Sequence, residues 1–113
     1  MQLGLSYVLD AKVHSVRTVE ECQAILPYIV RSINMTPVGS PVVLPHPWGP
    51  SGWQMMSESH IAFDYFYMDS ICIDLFSCNP FDEQVVKTLL VAQFDIDEDG
   101  LVERLFHRGF KDE

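Results

Sequence analysis

The side chains best suited to chemistry fall in two short stretches. The first is Ser57-Glu58-Ser59-His60-Ile61, where a dense polar cluster interrupts an apolar run. Polar groups in a strand that should be largely covered carry a desolvation cost unless they are paired. The ordinary alternative is a solvent-facing edge strand of alternating polarity. The second stretch is Cys72-Ile73-Asp74-Leu75-Phe76-Ser77-Cys78. Alternation puts Ile71, Ile73 and Leu75 on one face, and Cys72, Asp74, Phe76 and Cys78 on the other. Glu58, His60 and Asp64 share a face by the same period. If the two strands pair, an imidazole, a thiol and carboxylates converge on one sheet surface. Asn79-Pro80 reads as a helix start directly after Cys78. Helix amides and dipole there would favour a thiolate and make Cys78 a better proton donor. A buried structural cysteine is the ordinary alternative.

These residues need elements to hold them. Leu3, Leu5, Tyr7 and Leu9 alternate along Gln2 to Asp10, which predicts a half-buried strand. Thr18-Val19-Glu20-Glu21 is a capping-box pattern. Cys22, Ile25, Leu26, Ile29, Val30 and Ile33 follow it as one helical stripe, and Pro27 within that run predicts a kink or a late start. Met35 to Gly52 holds Pro37, Pro41, Pro45, Pro47 and Pro50 and reads as loop, with a short strand at Val42 to Leu44. Trp53 to Phe66 reads as strand with a sharp bend near Ser57–Ser59, and Ile71 to Ser77 as the next strand. Val85, Val86, Leu89, Leu90 and Phe94 face one side of a second helix. Asp95 to Gly100 reads as a turn and Leu101 to His107 as a final strand. The expected fold is α+β: a single domain over residues 1–113, a two-layer sandwich of mostly antiparallel sheet with two helices on one face.

Composition excludes several functions. At 113 residues, 48% hydrophobic and 20% charged, the chain is one ordinary globular domain. Seven Lys and Arg against 16 Asp and Glu leave a net charge of −9. That field repels nucleic acid and anionic membranes and favours a cationic small substrate. Apolar runs fall short of the roughly 20 residues that span a bilayer. The amino terminus lacks a basic segment followed by a long apolar one, and three cysteines cannot all pair, so a cytoplasmic location is expected. Asp95-Ile96-Asp97-Glu98-Asp99-Gly100 begins like a calcium loop, but Phe106 stands where the twelfth-position Glu is needed. His14, His46, His60 and His107 are too scattered for a metal site, and none is expected.

Ser51-Gly52, Ser57-Glu58-Ser59-His60-Ile61 and Ile73-Asp74-Leu75-Phe76-Ser77-Cys78 together resemble the small prokaryotic S-adenosylmethionine decarboxylases, most densely between Ser51 and Phe81. The resemblance implies a decarboxylase of polyamine biosynthesis that makes its own pyruvoyl cofactor. Ser59 would attack the Glu58 carbonyl, cleave the chain between residues 58 and 59, and become the pyruvoyl group that forms a Schiff base with substrate. Ser51 matches the family's processing serine and Cys78 its proton donor, with His60 as a further processing aid. The resemblance also implies a homodimer with active sites near the subunit interface. This chain departs from the pattern twice. Asp64 stands where the family has a second His, and an ionised carboxylate cannot donate a hydrogen bond. The family's following Trp-Pro-Glu segment is missing, which leaves Trp48, Phe66 or Tyr67 to stack on a base and Asp69 to bind a ribose. Arginine or ornithine is the alternative substrate, and a non-cleaving binding or regulatory subunit is the alternative of another class.

Overall fold

A computed structural model describes residues 1–112. Its elements, in order, are β1 (Gln2–Val13), α1 (Val19–Ser32), β2 (Val42–Leu44), β3 (Ser51–Met56), β4 (Ser59–Phe66), β5 (Ser70–Ser77), α2 (Glu83–Gln93) and β6 (Ile96–Gly109). The strands form one sheet in the order β2-β3-β4-β5-β1-β6, with every neighbouring pair antiparallel. This is the expected α+β sandwich. Tyr7, Leu9, Ile61, Phe63, Tyr65, Ile71, Ile73 and Leu75 turn one face of the sheet into the core. Cys22, Leu26, Ile29 and Val30 of α1 and Val86 and Leu90 of α2 close over it. Among the described residues, no helix is long and apolar enough to cross a membrane.

The start of α1 is fixed by its cap. Thr18 Oγ1 accepts the Glu21 amide at 3.0 Å, and Glu21 accepts the Thr18 amide at 2.9 Å. Pro27 neither breaks nor delays the helix, which runs unbroken from Val19 to Ser32. It deprives the Gln23 carbonyl of a helical donor, and Gln23 is exposed, so water can serve that group. The Ser57–Ser59 bend is a full reversal that makes β3 and β4 a hairpin. The acidic stretch near Asp97 is strand, not turn. The β1–β6 register jumps from Asp10↔Val102 to Lys12↔Asp97, so residues 98–101 bulge out opposite Ala11.

The second helix starts later than Asn79. The Ser77 hydroxyl holds the backbone of Asn79 in a tight turn, accepting its amide at 3.0 Å and donating to its carbonyl at 2.8 Å. Asp82 is the cap instead, accepting the Gln84 amide at 2.9 Å. Cys78 therefore sits four residues ahead of the cap, outside the reach of the helix dipole. Val85 does not join the buried stripe and is 45% exposed.

The reciprocal bonds at Thr18 are the local anchor of α1. Thr18→Ala is expected to cost about 1 kcal/mol, seen as a lower urea midpoint with an unchanged slope. An unchanged midpoint would contradict this role for the cap.

Candidate active site

The β3–β4 reversal is pinned from both sides. Ser57 N–H donates to the Thr36 carbonyl at 2.9 Å, and the Glu58 carboxylate accepts the Thr36 amide at 3.1 Å. Register then pairs Ser59 with Met56 on β3 and with Ser77 on β5. At this point the chain continues from β5 into Cys78, whose N–H donates to the Glu58 carbonyl at 2.9 Å. The peptide carbonyl just ahead of Ser59 is thus polarised by a fixed backbone donor. Ser59 itself has φ +151°, a region that suits glycine and costs a side-chain-bearing residue about 1–3 kcal/mol. A hydroxyl, a strained backbone and a polarised carbonyl meet on two adjacent residues. That combination favours transfer of the Glu58 acyl group from nitrogen to oxygen.

Gly4 makes room for this arrangement. A Cβ on it would lie 2.3 Å from the Ser77 carbonyl oxygen and 3.0 Å from Cys78 Cα, so β1 approaches the end of β5 only because residue 4 has no side chain. The exposed Cys78 borders a hollow of about 300 Å³ with Gln2, Leu5, Asn79 and Pro80.

The face away from the helices is open. His60, Ala62 and Asp64 of β4 share it with Cys72, Asp74 and Phe76 of β5. His60 packs against Phe76 at 6.0 Å between ring centres and borders a cleft of about 510 Å³ with Asp74, Phe106 and Arg108. Arg108 donates to Ser6 Oγ at 3.0 Å and lies 5.5 Å over the Phe76 ring. The thiol beside the carboxylates is Cys72, not Cys78, since register sets Cys72 opposite both Asp64 and Asp10. Burial, then a hydrogen bond to Asp10 and the neighbouring negative charges, push Cys72 up to about 11.

A second group of candidates gathers at the other end of the same strands. Ser51 pairs with Asp64, and Ser51 Oγ is 2.7 Å from His46 Nε2. Trp48 stands 5.1 Å from Tyr67, 6.4 Å from Phe66 and 6.3 Å from His46, ring centre to ring centre. Asp69 accepts from Lys12 at 2.9 Å and from Ser70 at 2.8 Å. Those bonds hold its carboxyl below the usual range and commit it to the surface. Five register steps separate Ser51 and Asp64 from Ser59, about 17 Å along the strands. Within one chain, Ser59, Glu58, His60 and Cys78 lie at one end. Ser51, Asp64, Trp48, Phe66, Tyr67 and Asp69 lie at the other.

Sequence reasoning missed Thr36 and His46, which lie in the proline-rich loop where no periodicity marks contacts. It also credited Cys78 with a side-chain role only, whereas the backbone N–H makes the contact with Glu58.

The three thiols should differ in reactivity. Burial raises the pKa of Cys72 to about 11 and of Cys22 to about 12, which keeps both protonated, and a protonated thiol is a poor nucleophile. Iodoacetamide near pH 8 is expected to modify the exposed Cys78 first. Cys72 should follow only as pH rises toward its titration, and Cys22 only on unfolding. Equal labelling of Cys72 and Cys78 near pH 8, read by peptide mass spectrometry, would contradict that environment.

Residues 7–104 match the model of the S-adenosylmethionine decarboxylase family. A search of curated protein sequences gives no match. Among solved structures, a crystal structure of the adenosylmethionine decarboxylase from Aquifex aeolicus VF5 superposes with a TM-score of 0.81. The two sequences are 19% identical, over 99% of this chain and 95% of that one, so the likeness is one of fold.

Proposed function

Because the chain belongs to the S-adenosylmethionine decarboxylase family, we propose that it is a self-processing decarboxylase that builds a pyruvoyl group from its own Ser59. The observation that carries this is the hydrogen bond from Cys78 N–H to the Glu58 carbonyl, at the residue preceding a strained serine. Ser59 Oγ adds to the Glu58 carbonyl carbon while the Cys78 amide bears the charge that develops on oxygen. The carbon–nitrogen bond breaks, relieving the strain and leaving an ester. Loss of the residue-59 α-proton then expels Glu58 as a carboxylate and leaves a carbon–carbon double bond. Water adds, ammonia departs and a ketone remains at the new terminus.

The residues present fit the group, since this terminus would lie beside Cys78, held by the same strand pairing. The ketone supplies an electron sink for decarboxylation of a substrate bound through its amine. Cys78 Sγ is assigned the return of a proton to the substrate carbon, and His60 a supporting place at the cleft wall. The aromatic trio Trp48, Phe66 and Tyr67 favours an adenosyl cation over arginine or ornithine, because a purine offers a face to stack on. The net charge of −9 suits the sulfonium.

The 17 Å gap favours an assembly of two chains. Both clusters lie along the sheet whose outer face no helix covers, and that face exposes Val42, Leu44, Trp53, Met55 and Phe106. Two such faces related by a twofold axis would bring the Ser51–Asp64 end of each chain over the Ser59–Cys78 end of the other. The active form is thus a homodimer with two composite sites.

Two experiments test this reading. On incubation, wild-type protein is expected to yield Met1–Glu58 and a fragment beginning at position 59, while Ser59→Ala stays whole, both read by intact mass. A wild type that stays whole contradicts the reading and leaves a non-catalytic homologue. Chains carrying Ser51→Ala or Ser59→Ala should each fail to cleave alone. Co-expressed, the Ser51→Ala chain should be cleaved, because its Ser59 meets an intact Ser51. No cleavage in the mixture, with an active wild type, would contradict a site shared between chains.

A further inference from the structure

The imidazole nearest to Ser51 does not come from its partner strand. Position 64, opposite Ser51 in the β3–β4 register, is Asp. His46, from the loop between β2 and β3, reaches back so that its Nε2 lies 2.7 Å from Ser51 Oγ. Its ring is braced edge-on by Trp48, whose carbonyl in turn accepts the Met68 amide at 3.2 Å. His46, Ser51 and Asp64 border one groove of about 390 Å³ with Leu44 and Trp53. A hydroxyl bonded to an imidazole, with a carboxylate across the strand pair, is an arrangement that moves protons.

We propose that His46 is the proton-relay residue of Ser51, supplying from the loop the imidazole that β4 lacks. This rests on the self-processing reading and on the composite site. With its own proton on Nδ1, His46 accepts the Ser51 hydroxyl proton at Nε2. Ser51 Oγ takes the α-proton from residue 59 of the ester in the other copy. The electrons of that carbon–hydrogen bond form the new carbon–carbon double bond. The carbon–oxygen bond of the ester breaks, and its pair leaves on the Glu58 carboxylate. The proton count closes with His46 as imidazolium, whose charge Asp64 offsets. Ser51 is the catalytic residue, and His46 acts through it as a positioning and relay residue.

The test is a time course of self-cleavage for wild type, His46→Gln and His46→Ala, each with and without added imidazole at constant pH. His46 is exposed, so its replacement leaves the core intact, and an unchanged urea midpoint verifies this. Wild type should cleave and His46→Ala should be slower by about a hundredfold or more. Imidazole should restore His46→Ala, where it has room to bind, more than His46→Gln. Wild-type rates in His46→Ala, or a loss that imidazole does not repair, would overturn the relay while leaving self-processing standing. A wild type that never cleaves overturns the self-processing reading, and the relay with it.

Discussion

A single backbone hydrogen bond ties this structure to the proposed chemistry. The Cys78 N–H reaches the Glu58 carbonyl only because β4 and β5 pair in one register, with Ser59 opposite Ser77. A slip of one residue would turn Ile61, Phe63, Ile73 and Leu75 out of the core, so the apolar alternation of both strands holds the donor in place. Gly4 lets β1 close against the same point, and Thr36 ties down the turn from the opposite side. The core therefore acts on the Glu58 carbonyl indirectly, through geometry, and keeps Ser59 in a backbone conformation that an isolated strand would abandon.

Much of the architecture is legible in the amino-acid order. The capping box at Thr18, the helical stripe from Cys22 and the strict alternation of β1 and β5 are strong local signals, and each element forms where they predict it. Errors come where two local signals compete. Asn79-Pro80 carries both marks of a helix start, but Ser77 holds Asn79 in a turn and Asp82 takes the cap. The acids from Asp97 onward look like a turn in one dimension. Pairing with β1 overrides them and makes a bulged strand.

The candidate site is legible in part. The chemical identities of Glu58, Ser59 and Cys78 mark one end, yet the sharpest contact there is made by a backbone N–H that no residue type announces. Period two correctly puts His60 and Asp64 on one face, but Asp64 pairs with Cys72 at the far end, while Cys78 lies just beyond the last pair of β5, near the His60 end. His46 belongs to a proline-rich loop whose path is set by tertiary packing around Trp48, so its approach to Ser51 arises only in the folded chain. The resemblance makes Ser51 a processing partner of Ser59, eight residues away in the chain. The hairpin instead sends them to opposite ends of one sheet.

Self-processing requires that the bond after Glu58 breaks and leaves a ketone on residue 59. Trapping with phenylhydrazine, followed by peptide mass spectrometry of aged protein, addresses it most directly. The expected product is a hydrazone confined to position 59, on a fragment without a free amino terminus. Aged, folded protein with no trapped carbonyl, or one carrying it at another residue, would contradict it.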